Sequence, residues 1–299
     1  MRDVVVVILF GAIGETSELF SASQAYANTL SDTYKSMGIS SIKLPVYDID
    51  DIDGDISNIE ARLSKKLIFL NAVLGPYGYN GEVVDKIQIG NTRLFVGCGS
   101  QHQVICNDKY LTKQLLSLEG IPVAEGFLVV GSQDFYTYNT FPKYIAKPNF
   151  GSRSKNIQIV DSSETEYIHL SEGVWIIEEF LEGDDVTVLC MNGNYYAAKI
   201  KTEDGIHTNE HKETQLAIFE KFEGQGVIDT CLRVREALGI SYESIRIDGR
   251  YHNGKYTVLE VNTQTSWAWN STGGKTWQVN NPGDAYAAML LELLEEVEG

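Results

Sequence analysis

The chain has 299 residues, of which 43% are hydrophobic and 22% charged, and a formal net charge of −17. A chain of this length buries substantial cores, in one large or two to three small domains. Its strong negative charge repels nucleic-acid phosphates over most of the surface, which argues against a nucleic-acid partner. No apolar run reaches the roughly 18 residues of a transmembrane helix, so we expect no membrane partner either.

Neither the first residues nor the cysteines indicate export. The apolar run at residues 4–10 is too short for a signal sequence with a cleavage site and predicts a buried strand instead. The cysteines lack the spacing of a metal site or a disulfide framework, and we interpret them as reduced core residues. They are Cys98, Cys106, Cys190 and Cys231. These features predict a cytoplasmic protein.

The first third of the chain alternates strand and helix patterns. Apolar runs predict strands at 4–10, 42–46 and 67–73, and helical spacing predicts a helix at 21–37. We interpret the acidic residues 48–57 as a connection. Glycine-rich turns follow the first and third strands. This arrangement predicts a parallel sheet whose ligands gather beyond the carboxyl ends of its strands.

The rest of the chain begins with a capped helix and continues mostly as strands. Asn107 and Asp108 are predicted to cap a helix at 109–119, which Gly120 ends. A small basic turn at 149–155 has the composition of a flexible lid over phosphates. Further strands are predicted at 127–130, 144–147, 157–160, 175–180 and 186–191, a polar loop at 201–213, and helices at 229–238 and 282–297.

The most informative stretch is IRIDGRYHNGKYTVLEVN, residues 245–262, which predicts two strands joined by a turn. With a three-residue loop, Arg246 lies opposite Glu260, and Asp248, Glu260 and Asn262 share one face. A two-residue turn places Asp248 on the opposite face unless a bulge intervenes. Oxygen ligands of this kind suit Mg²⁺, and Arg246 beside them can stabilise a developing anion.

A series of motifs resembles the ATP-grasp carboxylate–amine ligases, and within them the D-alanine–D-alanine ligases, over nearly the whole chain. The motifs are the glycine loop after the first strand, FLNAVLGPYGYNG, CNDKYLTKQLLSLEGIPV, YIAKPNFGS, IIEEFLEGDDVTV and IRID…LEVNTQ. The resemblance implies an α/β (α+β) ATP-grasp fold. Its parts would be an N-terminal parallel-sheet domain at 1–101, a central lid domain at 102–181 and a C-terminal catalytic domain at 182–299. The last two would sandwich ATP.

The resemblance also implies which residues bind the nucleotide. Lys109 and Lys147 would hold the ATP phosphates, as lysine ammonium groups do well. Ser152 would lie in the lid over the γ-phosphate and the first substrate. The carboxylate of Glu178 would accept from the adenine amino group, and Asp185 takes the place of the family's ribose-binding glutamate. Around the adenine ring, the implied contacts are backbone groups of Glu179 and Leu181 and the side chain of Phe180.

The same resemblance assigns the chemistry to the hairpin. Asp248, Glu260 and Asn262 would carry two Mg²⁺ ions, for which Mn²⁺ can substitute. These ions would draw charge from the γ-phosphate while a substrate carboxylate attacks it to give an acyl phosphate. An amine would then attack the acyl group. Arg246 and the backbone N–H of Ser266 would stabilise the resulting oxyanion.

Several substrate-side positions depart from the D-alanine ligases. Leu74 replaces a histidine, residues 78–81 replace the family's G-E-D-G, and residues 264–267 replace its S-P-G-M. Lys212 is only a partial substitute for the lysine–tyrosine pair of the family's mobile loop. Asn156 stands where a glycine is usual, although asparagine tolerates the left-handed conformation.

Other substrate-side positions match in part. Ser271 falls where the family has a serine that grips the acceptor carboxylate. Glu15 fits the glutamate that binds the substrate amino group, but the serine that should follow is displaced, and Glu18 is a competitor for the role. Trp267 and Trp269 either wall a larger acceptor or simply pack in their loop.

These comparisons predict that the nucleotide and metal machinery is retained while the substrate pocket is rebuilt. Our hypothesis is a ligase for amino-acid-like small molecules other than D-alanine, forming a different dipeptide or a specialised-metabolite amide. The rivals are a genuine D-alanine–D-alanine ligase and a non-catalytic ATP-binding regulatory protein. Family resemblance suggests a homodimer.

Overall fold

The computed structural model describes residues 4–13, 17–73, 79–88, 93–136, 140–150, 156–164, 166–191, 194–201, 218–240 and 245–263. These residues form three main sheets, which we number first, second and third in chain order, and a two-stranded ribbon. No helix among them is long and apolar enough to span a membrane. The predicted helix at 282–297 and most of the predicted loop at 201–213 lie outside the described residues.

The first part of the chain alternates strands and helices: β1 (Val4–Phe10), α1 (Ser17–Ser36), β2 (Ser40–Pro45), α2 (Ile52–Arg62), β3 (Lys66–Asn71), α3 (Tyr79–Ile87) and β4 (Leu94–Val96). The strands form a parallel sheet in the order β2-β1-β3-β4, which confirms the prediction of a parallel sheet. Every residue of β1 is buried, because α1 covers one face of the sheet and α2 and α3 cover the other.

The acidic residues 48–57 are not simply a connection, and that prediction was wrong. Helix α2 begins at Ile52 within this run. Ile52 and Ile56, one helical turn apart, are 1% and 0% exposed and pack against the underside of β1. Asp53 and Asp55 lie in the first turn, where negative charge is favourable. The two isoleucines four residues apart were the missed signal.

The middle of the chain forms α4 (Ser100–Asn107), α5 (Lys109–Leu118), β5 (Gly126–Val130), β6 (Gln133–Tyr136), β7 (Lys143–Pro148), β8 (Gln158–Asp161), β9 (Tyr167–Leu170) and β10 (Val174–Glu179). An antiparallel sheet has the order β5-β10-β7-β8, and β6 pairs with β9. Helix α5 begins as predicted, because the Asp108 side chain accepts a hydrogen bond from the Leu111 N–H at 2.9 Å. Asn156 adopts the left-handed conformation, with φ of 60°.

The last described part forms β11 (Asp184–Met191), β12 (Asn194–Lys201), β13 (Ile218–Lys221), α6 (Val227–Leu238), β14 (Ile245–His252) and β15 (Lys255–Asn262). The strands make an antiparallel sheet in the order β13-β12-β11-β14-β15. One face packs on α5 and α6 through residues such as Val188 and Ile247. Leu189, on the other face, joins the core of the first sheet. The first sheet therefore lies beside the more polar face of the third sheet, the face opposite to α5 and α6.

Candidate active site

The β14–β15 hairpin turns through two residues, Asn253 and Gly254, rather than three. Their φ angles are 49° and 78°, as expected for a type I′ turn. His252 consequently pairs with Lys255. The three-residue loop, and the cross-strand pairing that it implied, is therefore wrong.

A β-bulge following Asp248 restores the shared face that the two-residue turn would have lost. Beyond the bulge, Asp248 lies opposite Glu260, and Arg246 lies opposite Asn262. Residues directly opposite each other in an antiparallel pair project from the same face of the sheet. The four side chains therefore meet on the polar face of the third sheet.

Asp248 is at the centre of this group. Arg246 donates from Nε to both carboxylate oxygens, at 3.1 and 3.0 Å, and from Nη2 to Oδ2 at 2.9 Å. Thr187 on β11 donates from Oγ1 to Oδ1 at 2.6 Å. Asn262 Nδ2 donates to Asp248 Oδ2 at 3.0 Å and to Glu260 Oε1 at 3.1 Å. One amide thus bridges two carboxylates.

The pKa values of Asp248 and Glu260 are shifted in opposite directions. Burial, assisted by the charge of Glu260, raises the pKa of Asp248 above its usual range despite the neighbouring Arg246. Burial also acts to raise the pKa of Glu260, but Lys109 and Arg246 outweigh it and lower that pKa to about 2. The patch therefore holds an anion beside a carboxylate whose ionisation is disfavoured, and an additional cation would stabilise both.

This donor set fits a hard divalent cation. Asp248 and Glu260 offer carboxylate oxygens, and a half-turn of the Asn262 amide would present its Oδ1 in place of Nδ2. Mg²⁺ takes few carboxylates and completes its octahedron with water and substrate phosphates. Among the described residues, no group of three or more histidine, cysteine or acidic side chains is arranged to hold a metal ion by itself, as a softer or all-protein site would require.

Helix α5 carries two lysines on one side, one turn apart. Lys109 Nζ lies 4.0 Å from Glu260 Oε2 and donates to the Asn149 carbonyl at 3.4 Å. Lys113 forms an ion pair with Glu178 on β10. The helix therefore directs one ammonium group toward the third sheet and one toward the second.

Glu178 is buried between two lysines. Its side chain is 1% exposed, and Lys147 Nζ lies 2.9 Å from Oε2 while Lys113 binds Oε1. Gly126 on β5 makes room for it, since a Cβ there would lie 2.7 Å from Glu178 Cγ. Burial opposes ionisation of Glu178, but the lysines lower its pKa. The carboxylate predicted to meet adenine is thus an anion between two cations.

The two lysines respond differently to the same carboxylate. Burial lowers the pKa of Lys113 to about 7, with Glu178 opposing the shift. For Lys147, burial is outweighed by Glu178, which raises its pKa. Burial also lowers the pKa of Lys109. The three lysines and Arg246 face three carboxylates, those of Glu178, Asp248 and Glu260, so basic groups outnumber acidic ones and the region is suitable for a polyanion.

The start of the predicted phosphate loop is tied to α5. Asn149 is 1% exposed. Its Oδ1 accepts from the Tyr110 N–H at 2.8 Å, and its Nδ2 donates to Asp108 Oδ1 at 2.9 Å. These bonds keep Lys109 close to the end of β7, which carries Lys147.

The predicted adenine and ribose residues run from the end of β10 in the second sheet to the start of β11 in the third. The Phe180 ring has Lys143 Nζ at 4.3 Å and Arg250 Cζ at 5.7 Å from its centroid. Arg250 Nε lies 3.1 Å from Asp185 Oδ1. The Glu179 and Phe180 N–H groups donate to backbone carbonyls, and Leu181 follows in the connection to β11.

Several predicted residues lie outside this description. Glu15, Ser152, Lys212, Ser266 and Ser271 are not among the described residues, and their roles stay predictions. Glu18 lies in the first turn of α1.

Three further residues of the polar region were missed by sequence reasoning. Lys113 is the last residue of the D-K-x-x-T-K stretch, and Thr187 belongs to the strand motif that follows Glu178, so both stood within recognised motifs. Arg250 lies two residues after Asp248, and strand alternation placed it on the same side. The three residues lay within or beside recognised motifs, but the contacts that place them in the site join residues distant in the chain.

The ATP-grasp domain profile matches residues 106–264, more than half of the 299 residues. The D-alanine–D-alanine ligase of Zymomonas mobilis is 28% identical over 240 residues, covering 72% of both chains. The Bacillus anthracis D-alanine–D-alanine ligase, solved in complex with ATP, superposes with a TM-score of 0.72 at 17% identity, covering 98% of this chain and 99% of that one. The VanG D-Ala:D-Ser ligase of Enterococcus faecalis gives 0.65 at 15% identity, covering 97% and 98%.

A parallel sheet followed by two antiparallel sheets, with lysines and carboxylates between them, defines the ATP-grasp fold class. The chain belongs to the ATP-grasp family. It is an enzyme of the carboxylate–amine ligase class, similar to D-alanine–D-alanine ligases.

Proposed function

We propose that this enzyme uses ATP and Mg²⁺ to activate a substrate carboxylate as an acyl phosphate and joins it to an amine, releasing ADP and phosphate. The observation that carries the proposal is the placement of Asp248, Glu260 and Asn262 on one face, with Arg246 hydrogen-bonded to Asp248. Two carboxylates beside a guanidinium serve a metal–phosphate complex and a developing oxyanion together.

In this proposal Asp248, Glu260 and Asn262 hold two Mg²⁺ ions, with Mn²⁺ as a substitute. The bound metal supplies charge neutralisation at the phosphates. We call Asp248, Glu260 and Asn262 the metal patch. Lys109 and Lys147 bind the phosphates, because both supply positive charge that acts on Glu260 of this patch, and Lys109 Nζ lies 4.0 Å from its Oε2.

On the base side, Glu178 accepts from the adenine amino group. Backbone groups of Glu179 and Leu181 contact the ring edge, and Phe180 packs beside it. Asp185, oriented by Arg250, binds the ribose hydroxyls. The three-part division at 1–101, 102–181 and 182–299 belongs to the same proposal, with the nucleotide held between the last two parts.

The reaction has two steps. A carboxylate oxygen of the first substrate bonds to the γ-phosphorus, and the bond from that phosphorus to the β–γ bridging oxygen breaks, so ADP leaves. The amine of the second substrate then bonds to the acyl carbon and loses a proton, while phosphate leaves with the electrons of the carbon–oxygen bond. Arg246 donates from Nε and Nη2 to Asp248, and its Nη1 would donate to the tetrahedral oxyanion, with the Ser266 N–H as second donor.

We further propose substrates other than D-alanine, both amino-acid-like small molecules. The support lies in the sequence, where Leu74, residues 78–81 and residues 264–267 differ from the D-alanine ligases. Glu15 or Glu18, Ser152, Lys212 and Ser271 are the proposed substrate contacts. A homodimer in the cytoplasm, where ATP is available, completes the proposal.

The second candidate is a genuine D-alanine–D-alanine ligase, which the curated relatives favour, since the Zymomonas mobilis enzyme carries that name. Incubation with Mg·ATP and pooled amino acids and amines, with phosphate measured and the product identified by mass, separates the candidates. Phosphate release when D-alanine is the sole amino acid supplied would establish the second candidate. Release only with other substrates would establish the first.

The assay also tests the metal assignment. Asp248→Asn and Glu260→Gln should abolish phosphate release, with Asp134→Asn, a solvent-accessible carboxylate on β6, as the matched control. Release that survives the first two substitutions would overturn the assignment. No release with any substrate would favour a non-catalytic ATP-binding protein.

A further inference from the structure

The buried lysine of helix α5, Lys113, has no part in the function proposed so far. Its side chain is 4% exposed, and it makes an ion pair with Glu178 Oε1. Lys147 occupies the other oxygen of the same carboxylate, at 2.9 Å. One buried carboxylate therefore has two ammonium partners, one more than its own charge requires.

The two partners differ in what else is within their reach. Lys109 and Lys147 both act on Glu260 at the metal patch, which lowers the pKa of that carboxyl. Lys147 lies two residues before Asn149, whose carbonyl accepts a hydrogen bond from Lys109 beside Glu260. Lys113 is paired with Glu178, which is the carboxylate that acts most strongly on it. Lys147 can therefore turn toward an anion beside Glu260, whereas Lys113 is held at Glu178.

A triphosphate that recruits Lys147 would withdraw it from Glu178. A fully buried carboxylate without a cationic partner takes up a proton, since burial disfavours its charged form. A protonated Glu178 would offer one acceptor oxygen fewer to the amino group of the adenine base. Lys147 is one of the groups that lower the pKa of Lys113, so its departure favours the charged form of Lys113 and the carboxylate stays paired.

We propose that Lys113 is a positioning residue, a second counter-ion of Glu178, which frees Lys147 for the phosphates and keeps Glu178 ionised and oriented toward the adenine base. This inference rests on the proposed ATP-dependent function. It assigns Lys113 no contact with substrate or nucleotide.

The test is Lys113→Met, which keeps the length of the side chain and removes its charge. The variant leaves a one-to-one pair of Lys147 and Glu178, so its melting temperature should equal or exceed that of the wild type. Its Kd for Mg·ATP, measured by calorimetry on the full chain without a second substrate, should rise about tenfold or more, because Lys147 stays on Glu178. The control is Gln114→Met, which introduces methionine at the next, exposed position of α5. This variant should bind Mg·ATP as the wild type does.

A double variant distinguishes positioning from space-filling. In a Glu178→Gln background Lys147 no longer has a carboxylate to hold it, so adding Lys113→Met should change the Kd for Mg·ATP by less than about threefold relative to Glu178→Gln alone. A loss of about tenfold on adding Lys113→Met to Glu178→Gln would show that Lys113 acts independently of that carboxylate, and would overturn the proposal. If Lys113→Met does not fold, Lys113→Gln with its own Glu178→Gln double variant is judged by the same outcomes.

The remaining outcomes separate this inference from the function on which it rests. Wild-type protein that binds Mg·ATP, with Lys113→Met binding within about threefold of it, would overturn the inference alone. Wild-type protein that binds no Mg·ATP would overturn both the inference and the proposed function.

Discussion

Glu178→Gln is the substitution for which the structure makes the sharpest stability prediction. Side-chain exposures of 1%, 4% and 10% for Glu178, Lys113 and Lys147 mark the carboxylate as the shared partner of two buried cations. Removing one member of a buried ion pair costs about 3–5 kcal/mol, because the remaining charge stays buried without compensation. At about 2–4 °C per kcal/mol, we expect the melting temperature to fall by on the order of 10 °C.

The pH dependence gives the same prediction a second readout. In the variant the two lysines have lost the carboxylate that favours their charged forms, so their folded-state pKa values lie below that of an unfolded lysine. The unfolded chain then binds more protons above the folded-state pKa, and stability rises with pH until the unfolded lysine also deprotonates. The loss should therefore be larger at pH 7 than at pH 9.

The assay is urea denaturation of wild type and variant at both pH values. Glu179→Gln is the matched control, since Glu179 is the next residue on β10 and its side chain accepts a hydrogen bond from the Glu125 N–H at 3.2 Å. The control should change stability by less than about 1 kcal/mol. A Glu178→Gln variant as stable as the control, with an unchanged dependence on urea, would refute the reasoning.

Three further predictions concern the hairpin and its surroundings. Arg246→Lys removes the guanidinium fork and should lower the rate of phosphate release by about a hundredfold or more with Mg·ATP affinity little changed; an unchanged rate would remove Arg246 from the chemistry. Gly249→Ala places a Cβ 2.6 Å from the Thr257 carbonyl oxygen and should cost about 1–3 kcal/mol in urea denaturation, whereas Gly54→Ala, which meets nothing within 4 Å, should not destabilise; equal effects would contradict this account of the bulge. Glu260 has a folded-state pKa of about 2 against an ordinary 4.5, so its contribution to stability is present above pH 4.5 and lost as the pH falls toward 2. The urea midpoint of the wild type should therefore decrease more steeply over that range than the midpoint of Glu260→Gln. Parallel curves would contradict the lowered pKa of Glu260.

The hairpin illustrates how far sequence reasoning reaches. The residues that meet were predictable, because alternation along two strands restricts Asp248, Glu260 and Asn262 to a few arrangements. The turn was not, because His252-Asn253-Gly254 suits either a two-residue or a three-residue loop. The bulge at Asp248 decided the register, and a bulge depends on packing against the rest of the sheet.

Charge placement shows the complementary limit. Lys113 and Lys147 are 34 residues apart, and Glu178 lies 31 residues further along the chain. Nothing local requires the three to meet. Helix α5 packs on α6 and β15, and this placement brings Lys113 to Glu178 on β10, beside Lys147 on β7. Long-range packing thus makes both lysines counter-ions of one buried acid.

The sequence by itself determined the family, the parallel first sheet, the capped start of α5 and the set of polar residues that can share one face of the hairpin. These depend on local periodicity, capping and motif order, which are properties of neighbouring residues. The tertiary structure alone decided the hairpin register, the helix within the acidic run, the pairing of Asp185 with Arg250 and the ionisation of the buried carboxylates. Each of these depends on burial and on partners distant in the chain, because a charge or a strand edge acquires its energy from what surrounds it in space.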